Sequence, residues 1–375
     1  MTAPHLKSAH AQKQKDAVSM SAAHLGLPAP VTPDYLPAPG QQAPNVRRSP
    51  LAVLAEHLTA RDAWIVAMVH EHRVLTSTQI RQLAFAHERI ARRRLALLTN
   101  QLRLLDRFRP RRQYGSAPEH YVLGPTGAAY LAVEHQLSPK QFGYSRQRAH
   151  QIAISTQLEH HVGCNEVFTR LAAAHHRDPA GGRLAAWWSE RRCQRLWGDL
   201  ARPDGYGHYT LAPAGTDASG ARNLRFFLEY DTGTETLARV AAKLPGYAKL
   251  AAATTPQLVL FYLPGARREE NLHRLLAQDA LRVPVATTSP DALNEATTGP
   301  TGPVWRPVTG TGTARIPGRR APRLSLIDLD TLTATRQSRQ PRQPRQPRPS
   351  SVAPSVPTWW TEPPPPLLPP ETAPR

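Results

Sequence analysis

Four residues in the middle of the chain have the types and the spacing of a cation-assisted phosphodiester site. Asp204 opens an alternating segment in RPDG, Glu229 and Asp231 close the next one in FFLEYDTGTE, and Lys243 follows on the helical pattern TETLARVAAKL. Neighbouring strand ends can bring acids that are distant in sequence to one place. Mg²⁺ takes oxygen ligands in an octahedron and keeps several of its waters, so two or three carboxylates suffice to hold it. The ion polarises a phosphoryl oxygen and acidifies a bound water, and a nearby ammonium stabilises developing negative charge. Asp204, Glu229 and Asp231 are therefore the candidate metal ligands, and with Lys243 the candidate catalytic set. Val240, Leu244 and Tyr247 flank Lys243 at helical spacing, so its ammonium projects from an apolar face and needs an anionic partner. Glu190, expected at the end of the strand RLAAWWSE, is a weaker candidate ligand.

Each of these residues also has a plain structural reading. Asp231 or Thr232 could cap the next helix, with TGTE as a capping box closed by Glu235. Asp204 before Gly205 could be a turn, and Lys243 could extend its stem to solvent. His160, His161 and Asn165 lie on an expected helix, QLEHHVGCNEVFTRLAAAH, where they could meet a phosphate or a metal-bound water. Packing between helices is the commoner role for such residues.

The elements that must position this set read in the order αβββαβ: the helix from Gln157, strands RLAAWWSERR, DGYGHYTLA and RNLRFFLEYD, the helix TETLARVAAKL, and the buried strand QLVLFYL. Pro245-Gly246 is expected to kink or end that second helix. Upstream, RDAWIVAMVHEHR carries an apolar stripe at helical period. LTSTQIRQLAF begins with a Thr/Ser cap candidate, and HERIARRRLALLTNQL continues with Ile90, Leu95, Leu98 and Leu102 as expected inward positions. LLDRFRPRR and EHYVLG alternate like strands joined by QYGSAP, and PTGAAYLAVEH resumes as helix.

Charge singles out this upstream part. Residues 51–150 hold 15 basic against 7 acidic side chains, and residues 81–112 hold ten arginines against two acids, in a chain of formal charge +19. A polyanion is the natural partner, and double-stranded DNA fits better than a membrane because no basic amphipathic anchor is present. Arg89, Arg92 and Arg93 share one face of the third helix, and the expected hairpin adds Arg107, Arg109, Arg111 and Arg112. The planar guanidinium binds guanine or phosphate through two parallel hydrogen bonds. An Arg-, Ala- and Pro-rich composition would also raise the charge with no ligand in view.

No 18-residue uncharged apolar run is present, so no membrane span is expected. The first residues lack the apolar stretch of a signal peptide. Two cysteines, Cys164 and Cys193, are too few for a disulfide framework or a cysteine-ligated zinc site. A cytoplasmic protein is expected. Residues 1–50 read as a disordered lead-in. Residues 291–375 read as a mostly disordered Gly/Thr/Pro/Arg-rich tail, with RQPRQPRQPRP, the pair Trp359-Trp360, PPPPLLPP, and one apolar piece, RLSLIDLDTL, able to pack.

Three helices, a hairpin and a helix, in the text LTSTQI…ARRRLALLTNQ…LLDRFRP…HYVLGPTG, resemble the winged helix-turn-helix superfamily, with Leu104-Leu105 where a glycine usually precedes the wing. The second half resembles the PD-(D/E)xK nuclease core, with Pro203-Asp204 as its Pro-Asp and Glu229 as its second acid. The lysine usual two residues later is replaced here by Asp231, and Lys243 stands where some members carry it instead. Together with HHVGCNEVF, WWSE, FFLEYDTGTETL and KLPGY, the stretch from about 55 to 290 resembles the replication-relaxation family of actinobacterial plasmids and integrative elements. That resemblance implies an α+β protein: a winged helix-turn-helix over 51–140, then a restriction-endonuclease-like domain over 150–290. It implies DNA binding in replication, relaxation or mobilisation, with other plasmid replication or transfer proteins as partners and a Mg²⁺-dependent nuclease as the enzymatic reading. The alternative is a non-catalytic transcriptional or replication regulator whose second domain binds a partner or ligand.

Overall fold

A computed structural model describes residues 54, 57–111, 115–212, 220–254, 257–278, 280–296, 298–308, 322–337 and 363–369. The protein is α+β, with a three-stranded and a six-stranded sheet. Residues 1–50, Arg112, the Arg-Gln-Pro repeat and Trp359-Trp360 lie outside the described residues.

The first part begins with α1 (Ala60–His72), which Thr59 and Asp62 start as a reciprocal capping box. The short strand β1 (Leu75–Thr76) leads into α2 (Ser77–Ala84), where Thr76 and Gln79 repeat the device. Each box satisfies two backbone N–H groups that a helix start leaves unpaired. Helix α3 (Glu88–Ala96) follows, then β2 (Leu105–Phe108) and β3 (His120–Leu123), and Pro125 opens α4 (Pro125–Glu134). Strand β3 lies between β1 and β2, antiparallel to both. The sequence places Ile90 inward, but it is 53% exposed, and the buried stripe runs through Ala91, Leu95, Leu98 and Leu102. Ile90 sits one position, about 100°, off that stripe.

The second part starts with the 20-residue helix α5 (Leu158–Arg177). Strand β4 (Arg183–Ser189) passes directly into α6 (Glu190–Trp197), so Glu190 begins a helix instead of ending a strand; Ser189 caps it through the Arg192 N–H. Strands β5 (Gly205–Leu211) and β6 (Arg222–Tyr230) complete an antiparallel meander with β4. The expected single helix after β6 is broken. Thr236, not Asp231 or Thr232, caps α7 (Leu237–Ala241), and Pro245 starts α8 (Leu244–Ala253). Proline is well tolerated in a first turn, where its missing N–H costs no helical bond.

Strand β7 (Leu258–Tyr262) pairs parallel with β6, as a helical crossover demands. The sheet then continues beyond the expected αβββαβ unit. Helix α9 (Ala266–Leu276) leads to β8 (Val285–Thr288), parallel to β7, and α10 (Pro290–Glu295) leads to β9 (Arg306–Pro307) at the edge. Residues read as tail are thus part of the fold: Trp305 is fully buried, and its indole N–H donates to the Pro300 carbonyl. The apolar piece does pack, because Arg222 on β6 pairs with Asp328 and with Asp330, which starts α11 (Asp330–Gln337). Within the proline run, the Pro365 carbonyl accepts the Trp64 indole N–H of α1.

The two parts share a core. One apolar cluster runs from α1–α4 through Val167, Phe168 and Leu171 of α5 to the β4–β6 face. His72 of α1 stacks on Trp187 of β4 with ring centres 3.6 Å apart. Beside it Glu71 and Arg192 form a buried two-point ion pair at 2.8–2.9 Å. Among the described residues, no helix is long and apolar enough to cross a membrane.

Candidate functional site

Asp204 sits one residue before β5, and its N–H donates to the Leu228 carbonyl at 3.0 Å. Gly205 pairs with Leu228 as the last pair of β5 and β6, so Asp204 and Glu229 each lie one residue beyond it, at facing strand ends. Both carboxylates line one cavity of about 580 Å³. Asp204 is fixed at both oxygens: Oδ2 accepts the Tyr230 N–H at 2.7 Å, and Oδ1 lies 3.2 Å from His160 Nε2 on α5. Gly163 permits this approach of α5 to the end of β6, since a β-carbon there would lie 2.2 Å from the Tyr230 ring.

Glu229 is only 2% exposed. Its Oε2 accepts from the Lys243 ammonium at 2.7 Å, and its Oε1 accepts a short hydrogen bond from the Tyr247 hydroxyl. Lys243 is the N-cap of α8 and Tyr247 lies four residues on, so the two side chains reach the same place. Burial raises the Glu229 carboxyl to about 8, with Asp204 adding to the effect against the opposing pull of Lys243 and Tyr247. Burial disfavours the Lys243 charge, but Glu229 and Asp204 outweigh it and raise its pKa. The Glu229 carboxyl is held up because two acids are forced together away from water. A divalent cation between them would reverse that shift.

Behind this site Gly246 lies close under the Leu200 carbonyl, where a β-carbon would sit 2.3 Å from that backbone oxygen. Gly246→Ala should push α8, and Tyr247 with it, away from Glu229, at a cost of about 1–3 kcal/mol. Urea unfolding measures this; unchanged stability would show that α8 has slack here.

Asp231, expected as a third ligand, is drawn elsewhere. It lies one residue beyond β6; its Oδ1 accepts the Gly233 N–H at 2.8 Å, and its carboxylate pairs with Arg268 of α9. It lines the same cavity, yet both oxygens serve the turn and the ion pair. Glu190 lies nearby, and burial followed by the Asp204 charge raises its carboxyl pKa. As a Mg²⁺ site the arrangement therefore offers two carboxylates from adjacent strands, a number that this ion commonly accepts.

Tyr247 and Arg268 were not among the expected site residues. Tyr247 reads as one more apolar position of a helical stripe, although Lys243 and Tyr247 at i, i+4 were visible. Arg268 lies 37 residues from Asp231 and carries no local signal. Of the residues given two readings, His160 meets Asp204, while Asn165 packs, donating to the Val74 carbonyl at 2.7 Å.

In the first part Arg89, Arg92 and Arg93 are exposed on α3, and Arg107, Arg109 and Arg111 are exposed on or beside the β2–β3 hairpin. Arg94 instead turns inward to the fully buried Asp62 carboxylate. Arg92 pairs with Glu88 at 2.7 Å, and Arg109 pairs with Glu119 at 2.8 Å. Exposed pairs of this kind contribute little and exchange readily for another anion.

A family model described as Replication-relaxation matches residues 66–259, from within α1 into β7 and slightly more than half of the chain. No curated protein matches the chain, and no solved structure does.

Proposed function

This chain belongs to the replication-relaxation family, and on that premise we propose that it is a DNA-binding protein of a plasmid or integrative element. In this reading it acts in replication, relaxation or mobilisation of that element, and its second half cuts or nicks the DNA in a metal-dependent way. The observation that carries the reading is Asp204 and Glu229 at facing ends of adjacent strands, with the Lys243 ammonium 2.7 Å from Glu229. The order α5, β4, β5, β6, α7–α8, β7, with the short helix α6 added between β4 and β5, supports a PD-(D/E)xK-like core. The order α1, α2, α3, hairpin, α4 supports a winged helix-turn-helix.

The two carboxylates would hold Mg²⁺, which supplies Lewis acidity toward a phosphoryl oxygen and an acidified water. The chain's own groups do the rest. Tyr247 orients Glu229, the Tyr230 N–H and His160 orient Asp204, and Lys243 brings positive charge to where phosphate charge develops. Helix α3 would present Arg89, Arg92 and Arg93 to the major groove, with Arg107, Arg109 and Arg111 at the backbone beside it.

Incubation of the full chain with supercoiled plasmid tests the chemistry: nicked or linear product with Mg²⁺ or Mn²⁺, and none with chelator, is the expected result. A non-catalytic regulator is the second reading, favoured by the protein partners already held by both Glu229 oxygens; it predicts no product in either arm. Duplex binding is tested separately. Replacing Arg92, Arg93, Arg109 and Arg111 by alanine should abolish a gel shift at moderate salt. It should also flatten the dependence of log K on log salt by up to about 0.9 per lost phosphate contact. Unchanged affinity and slope would remove this surface from the DNA interface.

A further inference from the structure

Beside the His160–Asp204 contact converges a third side chain, Cys164, that the reading above does not use. His160 and Cys164 are one turn apart on α5, and Asp204 meets them from the start of β5. His160 Nε2 lies 3.2 Å from Asp204 Oδ1 and 3.6 Å from Cys164 Sγ, and the three ligand atoms are all within 4.8 Å of one another. A single ring nitrogen addresses both the sulfur and the carboxylate. As hydrogen bonding this is a poor arrangement, because that nitrogen either carries one proton or offers one lone pair. As coordination it is well matched. Sulfur, nitrogen and oxygen bound to one tetrahedral Zn²⁺ at about 2.0–2.3 Å stand about 3.3–3.6 Å from one another.

The surroundings agree. Asp204 Oδ2 is tied to the Tyr230 N–H, which leaves Oδ1 facing His160, the kind of outer hydrogen bond that orients a ligating carboxylate. Cys164 and Asp204 also line a small cavity of about 20 Å³, the size of one water or ion, separate from the larger cavity that His160 lines; His161 and Glu190 complete its polar wall. His161 is 7% exposed, and its Nε2 is buried with no hydrogen-bond partner. Arg73 and Arg191 line the same cavity, and their two charges are matched there by Glu190 and Asp204.

We infer that His160, Cys164 and Asp204 form a binding site for a borderline transition-metal ion such as Zn²⁺, distinct in ligand chemistry from an all-oxygen Mg²⁺ site. Binding forms the Zn–S bond with loss of the Cys164 thiol proton to solvent; no electron is transferred. This departs from the expectation that two cysteines are too few for a cysteine-ligated zinc site: imidazole and carboxylate stand in for the missing thiolates, so one cysteine suffices. The inference shares Asp204 with the proposed phosphodiester site but stands whether or not that site acts on DNA.

Co²⁺ titration of the metal-free full chain tests it without any activity measurement. The expected result is one Co²⁺ per chain with a thiolate-to-metal charge-transfer band, displaced by Zn²⁺. The band should vanish in Cys164→Ser and remain in Cys193→Ser and Glu229→Gln. His160→Ala, which removes no sulfur, should weaken binding by on the order of 100-fold and carries the test if Cys164→Ser does not fold. No charge-transfer band in the wild-type chain overturns the inference, as does a band that survives in Cys164→Ser. Loss of plasmid cleavage in Glu229→Gln with the band intact would separate the two sites.

Discussion

Asp204→Ala and Glu229→Ala should each lower metal-dependent cleavage of supercoiled plasmid by on the order of 1,000-fold, with the double variant no worse than the more damaged single one. The reason is geometric. The two carboxylates lie at facing ends of β5 and β6 and line one cavity, so a cation held by both is lost when either is removed, and the second removal takes away nothing more. Lys243→Met should cost less, about 100-fold, because it removes one charge beside the reacting phosphate and leaves the cation's ligands in place. Additive effects of the two alanine substitutions would show that the acids act separately. Gel-shift affinity for duplex DNA should stay close to wild type in all of these variants, since the arginines of α3 and the hairpin lie outside the cavity.

The largest effect on stability is expected where the two parts meet. Glu71 and Arg192 are about 4–5% exposed, and their two-point pair is joined by the Ser189 hydroxyl at 2.8 Å. Removing one partner of such a pair leaves a buried charge unmatched, which costs about 3–5 kcal/mol. Arg192→Leu should therefore lower the melting temperature by on the order of 10 °C. Glu71→Leu combined with Arg192→Leu should recover most of the loss. Burial alone would raise the Glu71 carboxyl, but Arg192 outweighs it and brings it down to about 2. A depressed carboxyl stabilises fully above its ordinary value of 4.5, and that stabilisation fades as pH falls toward 2. Burial pushes His72, stacked on Trp187, down to about 3 from 6.5. Its contribution too is complete above 6.5 and is lost in acid. The chain should thus lose stability progressively below about pH 6.5, and Arg192→Leu should weaken the part of that dependence below pH 4.5. A pH-independent melting temperature from 7 to 4 would contradict this assignment.

The sequence pattern carried the local features well. Thr76 before a helical stripe, Asp204 at the start of an alternating segment and Glu229 at the end of another are all visible within a few residues. What the pattern could not carry is long-range pairing. The register that sets Asp204 against Glu229 depends on a connection of ten residues between β5 and β6, too long for a turn type to fix it. Asp231 reads as a third ligand until Arg268, on a helix beyond the next strand, claims its carboxylate. Ile90 reads as core because helical period alone cannot choose between adjacent positions at the edge of a stripe. Trp305 lies in a Gly/Thr/Pro-rich stretch that composition assigns to tail, yet β9 pairs with β8 and buries it. Tyr247 reads as an apolar ring on a helical stripe, while its hydroxyl is what meets the site.

The claim on which the reading rests is that Asp204 and Glu229 share a cation. Carbon-13 NMR of glutamate carboxyl groups, with Glu229 assigned from the Glu229→Gln variant, tests it without substrate. In the absence of divalent ions the Glu229 carboxyl should titrate near 8, and addition of Mg²⁺ should move that titration downward in the wild-type chain but not in Asp204→Ala. A Glu229 carboxyl that titrates at the ordinary 4.5, or one that ignores Mg²⁺, would contradict the account.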